Sequence, residues 1–79
     1  MDELLGDVLA YLPKLREAGR EAEARELLHS LTEGCNAPEI LRSLQIALAD
    51  LPDDLGLELD AARGRLLAKT SRLMETIRP

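Results

Sequence analysis

Leucine returns every three or four residues along nearly the whole chain, and that interval is the period of a helix, not of a strand. Leu4, Leu5, Val8, Leu9, Leu12 and Leu15 follow it first, then Ala24, Leu27, Leu28 and Leu31. Ile40, Leu41, Leu44, Ala47, Leu48 and Leu51 continue it, and Leu59, Ala62, Leu66, Leu73 and Ile77 close the chain, with Thr70 on the same stripe. Each set marks one apolar face of an amphipathic helix. Apolar residues make up 46% of the sequence but aromatics only 1%, with Tyr11 alone, so the core has to be leucine and alanine. Helical bundles are filled that way and sheets are not. The expected fold is all-α: three to four amphipathic helices in a small bundle or helical hairpins, with a long C-terminal helix.

Punctuation divides the stripes. Pro13 lacks the amide proton a helix interior uses, and the unbroken stripe around it predicts a kink more than a new start. Gly19 interrupts strong helix-forming residues, and the sequence leaves open whether it bends, breaks or weakens a longer helix. At Gly34-Cys35-Asn36-Ala37-Pro38-Glu39 a boundary is expected. Gly34 is placed to end one helix in the left-handed conformation, and Asn36 with Glu39 has the spacing of a capping box. Pro38 falls in the first turn of the next helix, where its missing donor does no harm. Leu55, Leu57 and Leu59 alternate briefly like a strand, too short to found a sheet. The last helix, roughly 55–78, would span about 35 Å.

Seventy-nine residues make one domain, 1–79, whose own core is marginal in size. Chains this short often add disulfides, a metal or a second subunit. Cys35 is the only cysteine and His29 the only histidine, so neither an internal disulfide nor a metal cage is expected. Self-association or a partner is left. No apolar run is long enough for a membrane span, and the acidic Met-Asp-Glu start does not resemble a secretory signal. With one unpaired cysteine, a cytoplasmic location is expected. Eight arginines against two lysines, with much alanine and leucine, hint at a GC-rich bacterial genome.

Charge is unevenly distributed. Residues 1–62 carry fourteen acids and five bases, a net of −9, whereas residues 63–79 carry five bases and one acid, a net of +4. Arg65, Lys69 and Arg72 have the spacing of one helix face. Such cations complement a helix C-terminus, pair with acidic helices, or dock onto an acidic surface. Nucleic acid is an unlikely partner for a chain so acidic elsewhere and without stacking aromatics.

No equipment for catalysis is apparent. Ser30, Ser43 and Ser71 lie outside any nucleophile elbow, and the glycines lack the lysine and hydroxyl of a phosphate loop. His29 reads as a helix-surface side chain and Asp53-Asp54 as solvated acids. Cys35 has no neighbouring base in sequence to activate its thiol. No enzyme and no cofactor are expected.

Residues 23–46 resemble the opening of a LuxR-type helix-turn-helix, through Arg25, Glu26, Glu33, Gly34, Glu39, Ile40, Arg42, Leu44 and Ile46. The resemblance implies nucleic-acid binding through a recognition helix at about Ala47 to Ala61. That stretch has no base, carries Asp50, Asp53, Asp54 and Glu58, and holds Pro52 in its middle. Leu15 to Arg20, running into Glu23-Ala24-Arg25, resembles the turn of a tetratricopeptide-like hairpin. Asp54-Leu55-Gly56-Leu57-Glu58-Leu59 is similar to acyl carrier proteins, whose Asp-Ser-Leu attachment site has no counterpart here.

The leucine ridges suggest more apolar surface than one small copy can hide. The expected function is therefore a non-enzymatic protein-interaction module, acting as a homodimer or in an obligate hetero-complex. Leu4, Val8 and Leu12 on the first helix and Leu59, Leu66, Leu73 and Ile77 on the last are the candidate contacts, with core packing as their other possible role. The basic stripe Arg65, Lys69 and Arg72 stands beside them. The alternative is a nucleic-acid-binding regulator with a degenerate helix-turn-helix.

Overall fold

The computed structural model describes residues 2–34 and 36–76. Four helices follow one another: α1 (Asp2–Glu17), α2 (Glu21–Glu33), α3 (Ala37–Ala49) and α4 (Leu57–Thr76). No strand occurs among the described residues. The short alternation at Leu55, Leu57 and Leu59 resolves into a buried loop residue, an exposed helix-start residue and a buried helical one.

Local chemistry sets each boundary. Pro13 sits on the exposed face of α1, and the helix runs through it. Its missing hydrogen bond falls where water reaches the backbone. Gly19 breaks the chain decisively, with φ +79°. The Arg20 amide donates to the Leu15 carbonyl at 2.8 Å and the Gly19 amide to that of Arg16 at 3.0 Å, the paired bonds of a Schellman cap. Gly34 behaves otherwise than expected: it is extended, with φ −75° and ψ 142°. Space, not handedness, calls for glycine there. A β-carbon on Gly34 would stand 2.5 Å from Ile40 Cγ1 and 2.9 Å from the Ile40 nitrogen. Asn36 caps α3 as its spacing suggests, its Oδ1 accepting from the Glu39 amide at 3.1 Å, with Pro38 in the first turn.

The helices close into a ring. Each packs on the next, α1 packs on α4, and the backbones of the diagonal pairs stay apart. Four side chains that reach across between helices give the directions. Tyr11 Oη donates to the Leu59 carbonyl at 2.9 Å, while Lys69, further along α4, reaches back to Glu3 and Asp7 near the start of α1. Thus α1 and α4 are antiparallel. Gln45 Nε2 meets Ser71 Oγ at 3.3 Å and Arg63 Nη1 donates to the Leu51 carbonyl at 2.9 Å, so α3 and α4 are antiparallel too.

The four stripes meet inside this ring. Leu15, Leu27, Leu44 and Leu48 are completely buried, with Val8 and Ala24 beside them. Thr70 is also fully buried, and its hydroxyl is satisfied by the Leu66 carbonyl at 2.7 Å. The radius of gyration, 11.9 Å, is close to the roughly 11.6 Å of a compact globule of this length. The accessible surface of 5112 Å² lies within about a tenth of that expected for a folded monomer of this mass. One copy therefore shelters as much of itself as a free-standing protein does.

Candidate interaction surface

The residues singled out from the sequence as contacts divide sharply. Leu4, Val8, Leu12, Leu59 and Leu66 are between 0 and 9% exposed and form part of this chain's own core. Leu73 packs partly buried against that core, and Ile77 lies outside the described residues. The ridges are thus mostly spent on one another, because a ring of four helices offers each stripe two neighbours. Surface for a partner has to come from side chains beside the stripes. Among the described residues the large apolar ones are Leu9, Leu28, Ile46 and Leu57, at 52, 38, 58 and 93% exposure.

Helical periodicity places these on particular edges. On α1, Glu3, Asp7, Ala10 and Lys14 flank the buried stripe on the α4 side, so Leu5 and Leu9 flank it on the α2 side. On α2, Glu26, His29, Ser30 and Glu33 line a groove against α3, so Leu28 lies toward α1. Half-buried Leu5 and exposed Leu9 and Leu28 accordingly share the α1/α2 edge. No signal separated them from the core in the sequence, since Leu5, Leu9 and Leu28 fit the stripes as well as their buried neighbours do.

The basic stripe divides as well. Lys69 pairs with Asp7 and, at 3.3 Å, with Glu3, and these carboxylates, Asp7 first, hold its ammonium above the ordinary lysine range. Arg65 and Arg72 are exposed and have no ion-pair partner among the described residues. Arg65 and Lys69 join Lys14 around an open groove between α1 and α4, floored by Ala10, Tyr11, Ala62 and Leu66. Arg72 continues the line toward Leu73.

Arg63, which sequence reasoning passed over, holds the end of the bundle. Its guanidinium side chain is only 15% exposed. It donates to the Leu51 carbonyl, pairs with Asp60 one turn away, and reaches Asp53 at 3.7 Å. The connection 50–56 is thereby tied down. This connection occupies the middle of the expected recognition helix: α3 stops at Ala49 and α4 starts at Leu57. Pro52 and the Asp53-Asp54 turn end the helix there, so no continuous helix spans residues 47–61.

His29 stands on the surface, its Nε2 3.1 Å from Glu33 Oε1, with both side chains 66% exposed. The groove beside it is wide open and lined by Glu26, Ser30, Glu33, Ser43, Ile46, Ala47 and Asp50. Among the described residues no cluster of three or more potential metal ligands forms. Cys35 lies outside the described residues. No helix among them is long and apolar enough to cross a membrane. No family model matches the chain, and no curated protein or solved structure matches it either.

Proposed function

We propose that this chain is a non-enzymatic protein-interaction module, a small adaptor, chaperone, inhibitor or regulatory subunit that works in the cytoplasm, as a homodimer or bound to another protein. The observation that carries this reading is the α1/α2 edge, where Leu9 and Leu28 remain exposed although the core beneath them is complete. An apolar edge on a finished core contributes little to folding and loses free energy to water. Covering it with another polypeptide recovers that energy. Open grooves along the bundle fit the same reading, because a protein surface can lie along them.

The test compares the wild-type chain with a Leu9→Ser, Leu28→Ser double variant. Light scattering gives the self-associated state, and affinity capture from the native lysate gives any hetero-complex. A complex present with the wild type and lost with the double variant supports the proposal. A monomer that captures nothing, or a complex indifferent to both substitutions, counts against this edge. Low-salt gel retardation of nucleic acid that weakens steeply with salt would favour the rival class.

A further inference from the structure

We propose that the acidic α2/α3 edge of one copy binds the basic α1/α4 groove of the next, so that the chain self-assembles head to tail. This deepens the protein-binding reading, and rests on it, by naming a second copy as a partner. It uses different edges from the Leu9/Leu28 face.

The two edges complement each other in charge. Between α2 and α3 runs an open groove lined by Glu26, Glu33 and Asp50 and by Ile46, which is 58% exposed. Glu26 and Asp50 have no ion-pair partner among the described residues, and His29 is the only basic type in the lining. Arg25 and Arg42 are exposed on the same helices, outside that lining. Between α1 and α4 a groove floored by Ala10, Ala62, Leu66 and the Tyr11 ring lies between Lys14, Arg65 and Lys69. Asp7 and Glu3 also border it, but both are engaged by Lys69. Lys14, Arg65 and Arg72 remain without counter-ions among the described residues. Acids around exposed Ile46 thus face, on a second copy, bases around the apolar residues of the α1/α4 groove.

The order of helices around the ring gives this pairing its consequence. With α1 beside α2 and α4, and α3 beside α2 and α4, the α2/α3 edge is opposite the α1/α4 edge. A contact between opposite edges leaves one free edge of each kind on the pair. Such a heterologous contact does not close as a two-fold dimer and adds further copies. A side of the molecule 39 Å long and 20 Å wide offers about the 800 Å² per partner that a stable interface buries. Opposite charges steer the encounter, and rim charges make it depend on salt.

Sedimentation velocity of the full chain, from micromolar to millimolar concentration at low and high salt, tests the proposal. The mean mass is expected to climb past twice the 8.7 kDa of one chain at low salt, without a plateau at the dimer, and to fall back at high salt. Arg65→Glu with Arg72→Glu should hold the chain at monomer mass, as should Glu26→Lys with Asp50→Lys. Mixing the two variants should restore growth. All four positions are exposed, and an unchanged helical circular dichroism signal confirms each fold. A wild type that stays monomeric overturns the inference. So do association that survives both reversals and a failure of the mixed variants to associate. If association persists through the charge reversals but ends with Leu9→Ser and Leu28→Ser, the inference fails while the protein-binding reading stands. If the chain neither self-associates nor captures a partner, both fail.

Discussion

Arg20 and Asp54, thirty-four positions apart in sequence, form a 2.6 Å ion pair that fastens the α1–α2 turn to the α3–α4 connection. Both are at the same end of the bundle, where Arg63 holds Leu51 and Tyr11 holds Leu59.

Asp54→Asn should lower the melting temperature by a few degrees at most, because the pair is exposed to solvent. The Arg20 guanidinium, by hydrogen bonding first and charge second, holds the Asp54 carboxyl below the usual carboxylate range. The folded state therefore binds this proton less readily than the unfolded one. The pair's contribution is complete above the unfolded-state value and disappears as pH falls through the lowered folded value. Thermal melts from neutral to acid pH should show the gap between wild type and Asp54→Asn narrowing on acidification. A gap that widens in acid would contradict the pairing.

Tyr11→Phe should cost about 1–2 kcal/mol, since the Leu59 carbonyl loses a buried donor. Burial raises the Tyr11 phenol above its ordinary value, with Arg63 opposing and Asp60 assisting. The unfolded chain ionises first as pH rises, so wild-type stability should fall through the alkaline range while Tyr11→Phe escapes that loss. As this is the only tyrosine and the chain has no tryptophan, phenolate absorbance reads it directly. Native titration should lie above that of the chain in denaturant.

Glycine replacements should separate by sign. Gly19→Ala forces a β-carbon into positive φ, at a cost of about 1–2 kcal/mol. Gly34→Ala should cost at least as much, because the new methyl meets the Ile40 backbone. Gly64→Ala has open space and lies within α4, so it should stabilise by up to about 1 kcal/mol. Denaturant midpoints for the three variants test the order.

Leu44→Ala should cost about 2–5 kcal/mol, enough to unfold much of a small domain at room temperature. Thr70→Val should be neutral or stabilising: the side chain is fully buried, and its hydroxyl bonds a carbonyl of its own helix. Urea melts of both variants decide this, and a large loss in Thr70→Val would reveal a role for the hydroxyl beyond its own turn.

Much of the fold was legible before any coordinates. Helix type, the Asn36 cap and the break between the second and third helices all follow from short-range spacing. The interaction surface was not. Leu4 and Leu5, or Leu27 and Leu28, are adjacent and chemically identical, and a stripe written in leucine does not mark which of its borders meets a neighbour. Gly19 was left open and Gly34 misjudged for a related reason: one needs its φ and the other its empty space, and both demands are satisfied by the same letter.

The amino-acid order determined on its own that this chain is helical, where the break between its second and third helices falls, and that its charge is split between the body and the last helix. These depend on contacts within one or two turns, which local spacing encodes. Which leucines the core absorbs, which cations find acids, and that the acidic and basic edges stand on opposite sides were decided only when the four helices closed into a ring. Those outcomes depend on which faces meet across tens of residues, and packing alone selects among the arrangements that local preference permits.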